Sequence, residues 1–138
     1  MPQLIEHIDA IARKVGRDVL WCDFTIDAAG EPVKEHWEDN PTRKEVISWL
    51  DANGYAWREC GTIASDRWLT MGYLGSIYID TLFDRENPRF LRLEQYLEHP
   101  DGTLRFPKMR FWALTVALAM QNAHHDEPGY WEKRAEVF

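Results

Sequence analysis

His124-His125-Asp126-Glu127, with Asn122 just before it, is the densest set of side chains here that can do chemistry. Imidazoles and carboxylates serve as metal ligands and as general acids and bases. Together the four would suit a small metal-dependent hydrolase, with Asp23 or Asp80 joining through the fold. Adjacent histidines on a helix point about 100° apart, so they converge only where the helix ends. Pro128-Gly129 ends it there. The plainer account is a solvated helix end, where the helix dipole favours His and Asp-Glu-Pro-Gly forms an ordinary turn. It is preferred because no partner has informative metal spacing: His7, His36 and His99 are scattered. No cofactor is therefore expected.

A second set is the loop 31–40. It carries Glu31, Glu35, Glu38 and Asp39 against Lys34 alone, with His36 and Trp37 among them. Carboxylates steer encounter with a basic surface, and a Trp supplies burial energy as an anchor. Glu35, Trp37, Glu38 and Asp39, joined by Asp66 and Trp68 of the loop 64–71, form the candidate partner-binding set. The bland alternative, a solvated loop whose Trp packs on its own domain, weighs equally.

A third set follows from strand alternation, which puts Trp21 and Asp23, Tyr78 and Asp80, and Arg110, Trp112 and Leu114 on one sheet face. Trp21, Tyr78 and Trp112 would make an aromatic band larger than a soluble monomer leaves bare, with Arg110 as a polar partner. Left open, this face would serve a partner or a homodimer. A stacking platform for single-stranded RNA fits the geometry, but the acidic surroundings oppose it. The preferred account is that a terminal helix covers the face as a second core.

Nucleophiles are unpromising. Cys22 shares a face with Leu20, Phe24 and Ile26 and reads as a small core hydrophobe. Cys60 has Glu59 beside it, which raises a thiol pKa. Ser48, Ser65 and Ser76 sit in no nucleophile elbow, and no phosphate-binding glycine loop is present.

The elements that must position these groups are legible as patterns. Residues 2–15 form an amphipathic helix with Leu4, Ile8, Ile11 and Val15 on one stripe, closed by Gly16. Residues 18–26 alternate as a strand. Asn40-Pro41 and Asn87-Pro88 each open a helix as N-cap and first helical residue. Asn53-Gly54 closes one of these helices, and residues 99–102 close the other. Residues 55–63 form a weaker edge strand. Residues 72–82 are the most strand-like run and read as a central strand, and 109–114 supply the last strand. A helical pattern follows from Thr115, is interrupted at 126–129, and resumes as a short amphipathic tail.

The order predicts a single α+β domain over 1–138. It is a ferredoxin-like (βαββαβ) antiparallel four-stranded sheet with extra N- and C-terminal helices, its first and third strands central. The chain of 138 residues is long enough to bury a core without metal or disulfide. Its net charge of −7 argues against binding nucleic acid directly and against docking on anionic membranes. Residues 1–6 show no secretory-leader pattern, and no run is long enough to span a membrane, so a soluble cytoplasmic protein with free thiols is expected. These features predict a protein-interaction module without chemistry of its own, of the inhibitor or immunity type, whose partner is another, basic protein. The metal-dependent hydrolase is the alternative, and a homodimer is compatible with either.

Overall fold

Five consecutive buried side chains, Val19 to Asp23, mark the strand on which the domain is assembled. The structure is a computed structural model. It describes residues 5–65 and 72–137, with side chains as far as Lys133. In chain order the elements are α1 (Ile8–Val15), β1 (Val19–Asp23), a 3-10 turn (Trp37–Asp39), α2 (Pro41–Ala52), β2 (Trp57–Glu59) and β3 (Ile77–Ile79). They continue with α3 (Pro88–Leu97), β4 (Arg110–Leu114), α4 (Val116–Ala119), a 3-10 segment (Met120–Asp126) and α5 (Tyr130–Val137). The strands form one sheet in the order β2-β3-β1-β4, with every neighbouring pair antiparallel. The described residues thus make a mixed α+β protein with a four-stranded antiparallel sheet and five helices. No helix among the described residues is long and apolar enough to cross a membrane.

β1 and β3 are buried on both faces, so each face needs its own cover. On one face Leu20, Cys22, Ile77 and Ile79 pack with Val46 and Leu50 of α2, Phe90, Leu93 and Leu97 of α3, and Phe24, Tyr55 and Met109. On the other, Val19, Trp21, Tyr78 and Leu114 pack with Ile8, Ile11 and Ala12 of α1, Cys60, and Ala119 of α4. Burying a large apolar side chain stabilises by roughly 1.5–3 kcal/mol, so this second cluster is a core and not a veneer.

The aromatic band lies in register as expected: Trp21 stands opposite Tyr78 on one side and Trp112 on the other. Its description as an open face needs correction. Trp21 is 7% exposed and Tyr78 4%, both beneath α1, whose apolar stripe has nowhere else to go. Arg110 is also engaged: its Nε donates to the Asp27 carbonyl (3.0 Å), and its guanidinium lies 5.6 Å from the Trp112 ring. Trp112 alone stays well exposed, because it sits on an edge strand.

Several elements are shorter than their sequence patterns. α1 begins at Ile8, because residues 6–8 pair with Gly61: the Ile8 amide donates to the Gly61 carbonyl (3.0 Å), and the Gly61 amide to that of Glu6 (2.8 Å). Pro2 lies outside the described residues. β1 stops at Asp23, whose Oδ1 accepts from both the Thr25 amide and hydroxyl and bends the chain. The helical run that opens after Thr115 keeps one α turn, α4, capped by Thr115 Oγ1 accepting from the Leu118 amide (3.2 Å), and then tightens into 3-10 geometry. Part of the Trp content goes into packing: Trp49 lies flat on Tyr96, centroids 4.0 Å apart.

Both Asn-Pro starts form as their chemistry demands. Asn87 Oδ1 accepts from the Arg89 amide (2.9 Å). Asn40 Oδ1 accepts from the Thr42 and Arg43 amides (2.9 and 3.2 Å), and its Nδ2 donates to the Lys108 carbonyl (3.3 Å). Asn40 is fully buried, so its cap is one no water replaces. Asn40→Ala is expected to cost about 1–2 kcal/mol, read as a melting temperature lower by several degrees. Asn40→Asp, which keeps the acceptor, should recover part of it; equal loss in both variants would show that the Lys108 contact, and not the cap, matters.

Candidate functional site

The acidic loop runs from the turn after β1 into α2 and is held from inside by an arginine. Arg43, in the first turn of α2, is nearly buried. Its Nε donates to the Gly75 carbonyl (2.9 Å) and its Nη2 to the Tyr73 hydroxyl (3.1 Å). Its guanidinium lies 4.6 Å from the centroid of the Trp37 ring, and Trp37 meets Tyr73 edge-on at 4.7 Å. The Tyr73 hydroxyl donates onward to the Ser76 carbonyl (2.5 Å). Burial outweighs Arg43 and pushes the Tyr73 phenol up to about 12, so it remains a protonated donor at neutral pH. A desolvated cation over a Trp face is worth up to about 2 kcal/mol.

Gly75 is the floor of this clamp. It has φ +95°, and a Cβ built there would overlap the Trp37 Cβ. The indole can lie where it does only because residue 75 has no side chain.

Three further contacts fix the loop. His36 Nδ1 accepts from the Glu38 amide (3.3 Å) and caps the 3-10 turn. Glu35 pairs with Lys108, which holds its carboxyl below the usual range. Asn40 reaches the Lys108 backbone, as described above. Glu31, Lys34, Glu38 and Asp39 face solvent. Of the proposed partner-binding residues, the structure thus brings Glu35, Trp37, Glu38 and Asp39 together on one braced loop. Trp37 is half-buried and braces that loop, Glu35 is already ion-paired, and Glu38 and Asp39 point outward. Asp66 and Trp68 lie outside the described residues.

The histidine cluster is drawn into ring packing and an ion pair. The rings of His124 and His125 do converge, 4.2 Å apart. His125 is buried against Tyr130 and Trp131 of α5, at 4.9 and 4.7 Å, and His7 meets Trp131 from the other side at 5.5 Å. Asp126 uses both oxygens on Arg13, which approaches as a fork (Nε to Oδ2 2.7 Å, Nη2 to Oδ1 2.8 Å). Arg13 Nη1 also donates to Asp9 Oδ2 (3.1 Å) and to the Ala119 carbonyl (3.0 Å). Asn122 Nδ2 donates to Asp9 Oδ2 (2.8 Å) and to the Ala64 carbonyl (3.1 Å), and the Ala64 amide donates to Asp9 Oδ1 (3.1 Å). These bonds clasp α1, the loop around Ala64 and the C-terminal 3-10 segment into one unit. Among the described residues, no three His, Cys, Asp or Glu side chains lie where they could hold a metal ion together. Asp80 pairs with Arg17 (2.7 Å), and Asp23 caps its own turn. Glu127 contributes its amide, donated to the His124 carbonyl (3.3 Å).

Neither thiol is activated. Burial pushes Cys60 up to about 12 and raises Cys22 further. Sequence reasoning did not single out Arg43, Tyr73, Asp9 or Arg13. The one available signal was the Asp9–Arg13 spacing, four residues apart on a helix, which brings such side chains together.

Comparison of the chain with protein-family models, with known proteins and with solved structures found no match in any of the three.

Two outcomes follow from this geometry. Gly75→Ala should cost more than about 2 kcal/mol, through overlap with Trp37 added to backbone strain. Gly16→Ala, at φ +69° with nothing within 4 Å, should cost only about 1 kcal/mol. Chemical denaturation of the two variants compares them, and equal losses would mean that the indole is not seated on Gly75.

The second outcome concerns acid. Burial alone would raise the Asp9 pKa, but the bonds from Asn122, the Ala64 amide and Arg13 outweigh it and hold it below its ordinary 3.8; Arg13 does the same for Asp126. A depressed folded pKa contributes stability that is present above the ordinary value and lost as pH falls through the folded one. The melting temperature should therefore fall as pH drops below the ordinary carboxylate value of 3.8. Asp126→Asn should lower it by a few degrees at neutral pH, matching about 0.5–1 kcal/mol for a partly exposed pair, and should flatten the acid limb. Acid limbs of equal slope would exclude the Arg13–Asp126 pair from acid stability.

Proposed function

We propose that this protein is a small acidic interaction module that binds another, basic protein, in the manner of an inhibitor or immunity protein. The observation that carries this is the braced acidic loop. Glu38 and Asp39 face solvent on a 3-10 turn whose backbone is held by Trp37, Arg43 and Gly75. A loop already ordered before encounter loses little entropy on binding, so its carboxylates act at full strength on a cationic partner. The net charge of −7 adds long-range attraction for such a partner and repels nucleic acid. We read the sheet as ferredoxin-like with helices added at both ends, supported by its strand order and antiparallel neighbours. A cytoplasmic setting suits two buried free thiols. The metal-dependent hydrolase draws no support from the His124–Glu127 stretch, whose Asp126 is committed to Arg13.

The test is charge reversal on the loop. Glu38→Lys with Asp39→Lys should leave the melting temperature within a few degrees, since both side chains are exposed. As bait in the source organism's extract at low salt, the double variant should fail to recover basic proteins that the wild type recovers. Added salt should weaken the wild-type capture as well. Identical partner lists for the two baits would remove the loop from the interface.

A further inference from the structure

The longest apolar run in the chain, residues 111–120, ends up mostly on the surface. It reads Phe-Trp-Ala-Leu-Thr-Val-Ala-Leu-Ala-Met and carries no charge, in a chain that is 28% charged. Only Leu114 and Ala119 of the ten are buried; Trp112 is 42% exposed, Leu118 47% and Met120 53%. The first part of this run belongs to β4, which ends the sheet: among the described residues nothing pairs with its outer edge. Five residues of unpaired strand beside exposed apolar groups form a template for another strand. β4 has no proline, and its one charged residue, Arg110, is drawn back to the Asp27 carbonyl.

The geometry points to a second copy of this chain as the occupant, the two β4 edges pairing antiparallel about a two-fold axis to make one eight-stranded sheet. A two-fold interface must be complementary to itself. A strand edge meets that condition, because its alternating donors and acceptors match their own two-fold image, and an apolar surface meets it too. The charge distribution selects the same occupant: two chains of −7 repel each other least where the residues that meet, 111–120, are themselves uncharged, the nearby Asp18 carboxylate being turned onto the Val116 amide (2.8 Å), whereas a basic partner is drawn to the acidic loop. Size sets the strength. At roughly 200 Å² per large side chain, Trp112, Leu118 and Met120 leave roughly 300 Å² of apolar surface per copy. With the usual apolar share, an interface of about 1,000 Å² results, the lower bound for a specific pair. The dimer is therefore a weak one that follows concentration, and it is independent of the loop assigned above to a basic partner.

Sedimentation velocity from low micromolar to near-millimolar protein tests this. The expected result is a shift from monomer to twice the chain's mass, accompanied by slower amide exchange over residues 110–114. Leu118→Glu and, separately, Ala113→Glu place like charges across the axis at exposed positions and should keep the chain monomeric with an unchanged thermal melt. Leu74→Glu, at an exposed apolar residue on another segment, should dimerise as the wild type does. A wild type that stays monomeric throughout, or dimers that both Leu118→Glu and Ala113→Glu leave intact, would overturn the proposal. Failure here leaves the loop assignment standing, because the extract experiment reads it separately.

Discussion

Burial of β1 on both faces is the constraint from which most of this structure follows. A strand whose five residues are all inside cannot belong to a sheet with one wet face. The α2–α3 layer covers Leu20 and Cys22. Something else must cover Val19 and Trp21, and α1 is the element with a free apolar stripe. Once α1 docks, it carries Asp9 and Arg13 out of water with it. Buried charges are costly unless fully paired, so their partners have to come from other parts of the chain. Asn122, the Ala64 amide, the Ala119 carbonyl and Asp126 supply them. The position of the C-terminal segment is therefore a consequence of covering the sheet.

That requirement also explains the contacts of the richest-looking chemical cluster. His124, His125 and Asp126 sit where the C-terminal segment closes over α1. Asp126 satisfies Arg13, and His125 fills space between Tyr130 and Trp131. The acidic loop stands on the other helix layer's side of the chain order, entering α2, and is organised by one buried cation. Arg43 is neutralised by no carboxylate among its described contacts. A carbonyl, a phenol and an indole face serve it instead, so Glu31, Glu38 and Asp39 stay directed at solvent.

The two edges of the sheet differ in how they are finished. β2 is three residues long and carries Arg58 and Glu59, whose charges discourage pairing. β4 is five residues long and runs into uncharged surface. A sheet with one charged edge and one that runs into uncharged surface has a preferred direction of growth.

Local signals in the sequence determined much of the fold. The Asn-Pro starts, the alternation around Trp21 and Tyr78 and the apolar stripe of α1 each act within a few residues, through caps, pleat and helical period, and so could be read one segment at a time. Even the alignment of Trp21, Tyr78 and Trp112 followed from alternation once the strands were placed. What only the tertiary structure decided were features set by distant partners. Gly61 shortens α1 by hydrogen bonding to residues 6–8; Arg43 and Gly75, 32 positions apart, hold Trp37; Arg13 takes Asp126 from 113 positions away. No period or motif encodes such pairs, because their energy depends on desolvation, and desolvation exists only after the layers have come together.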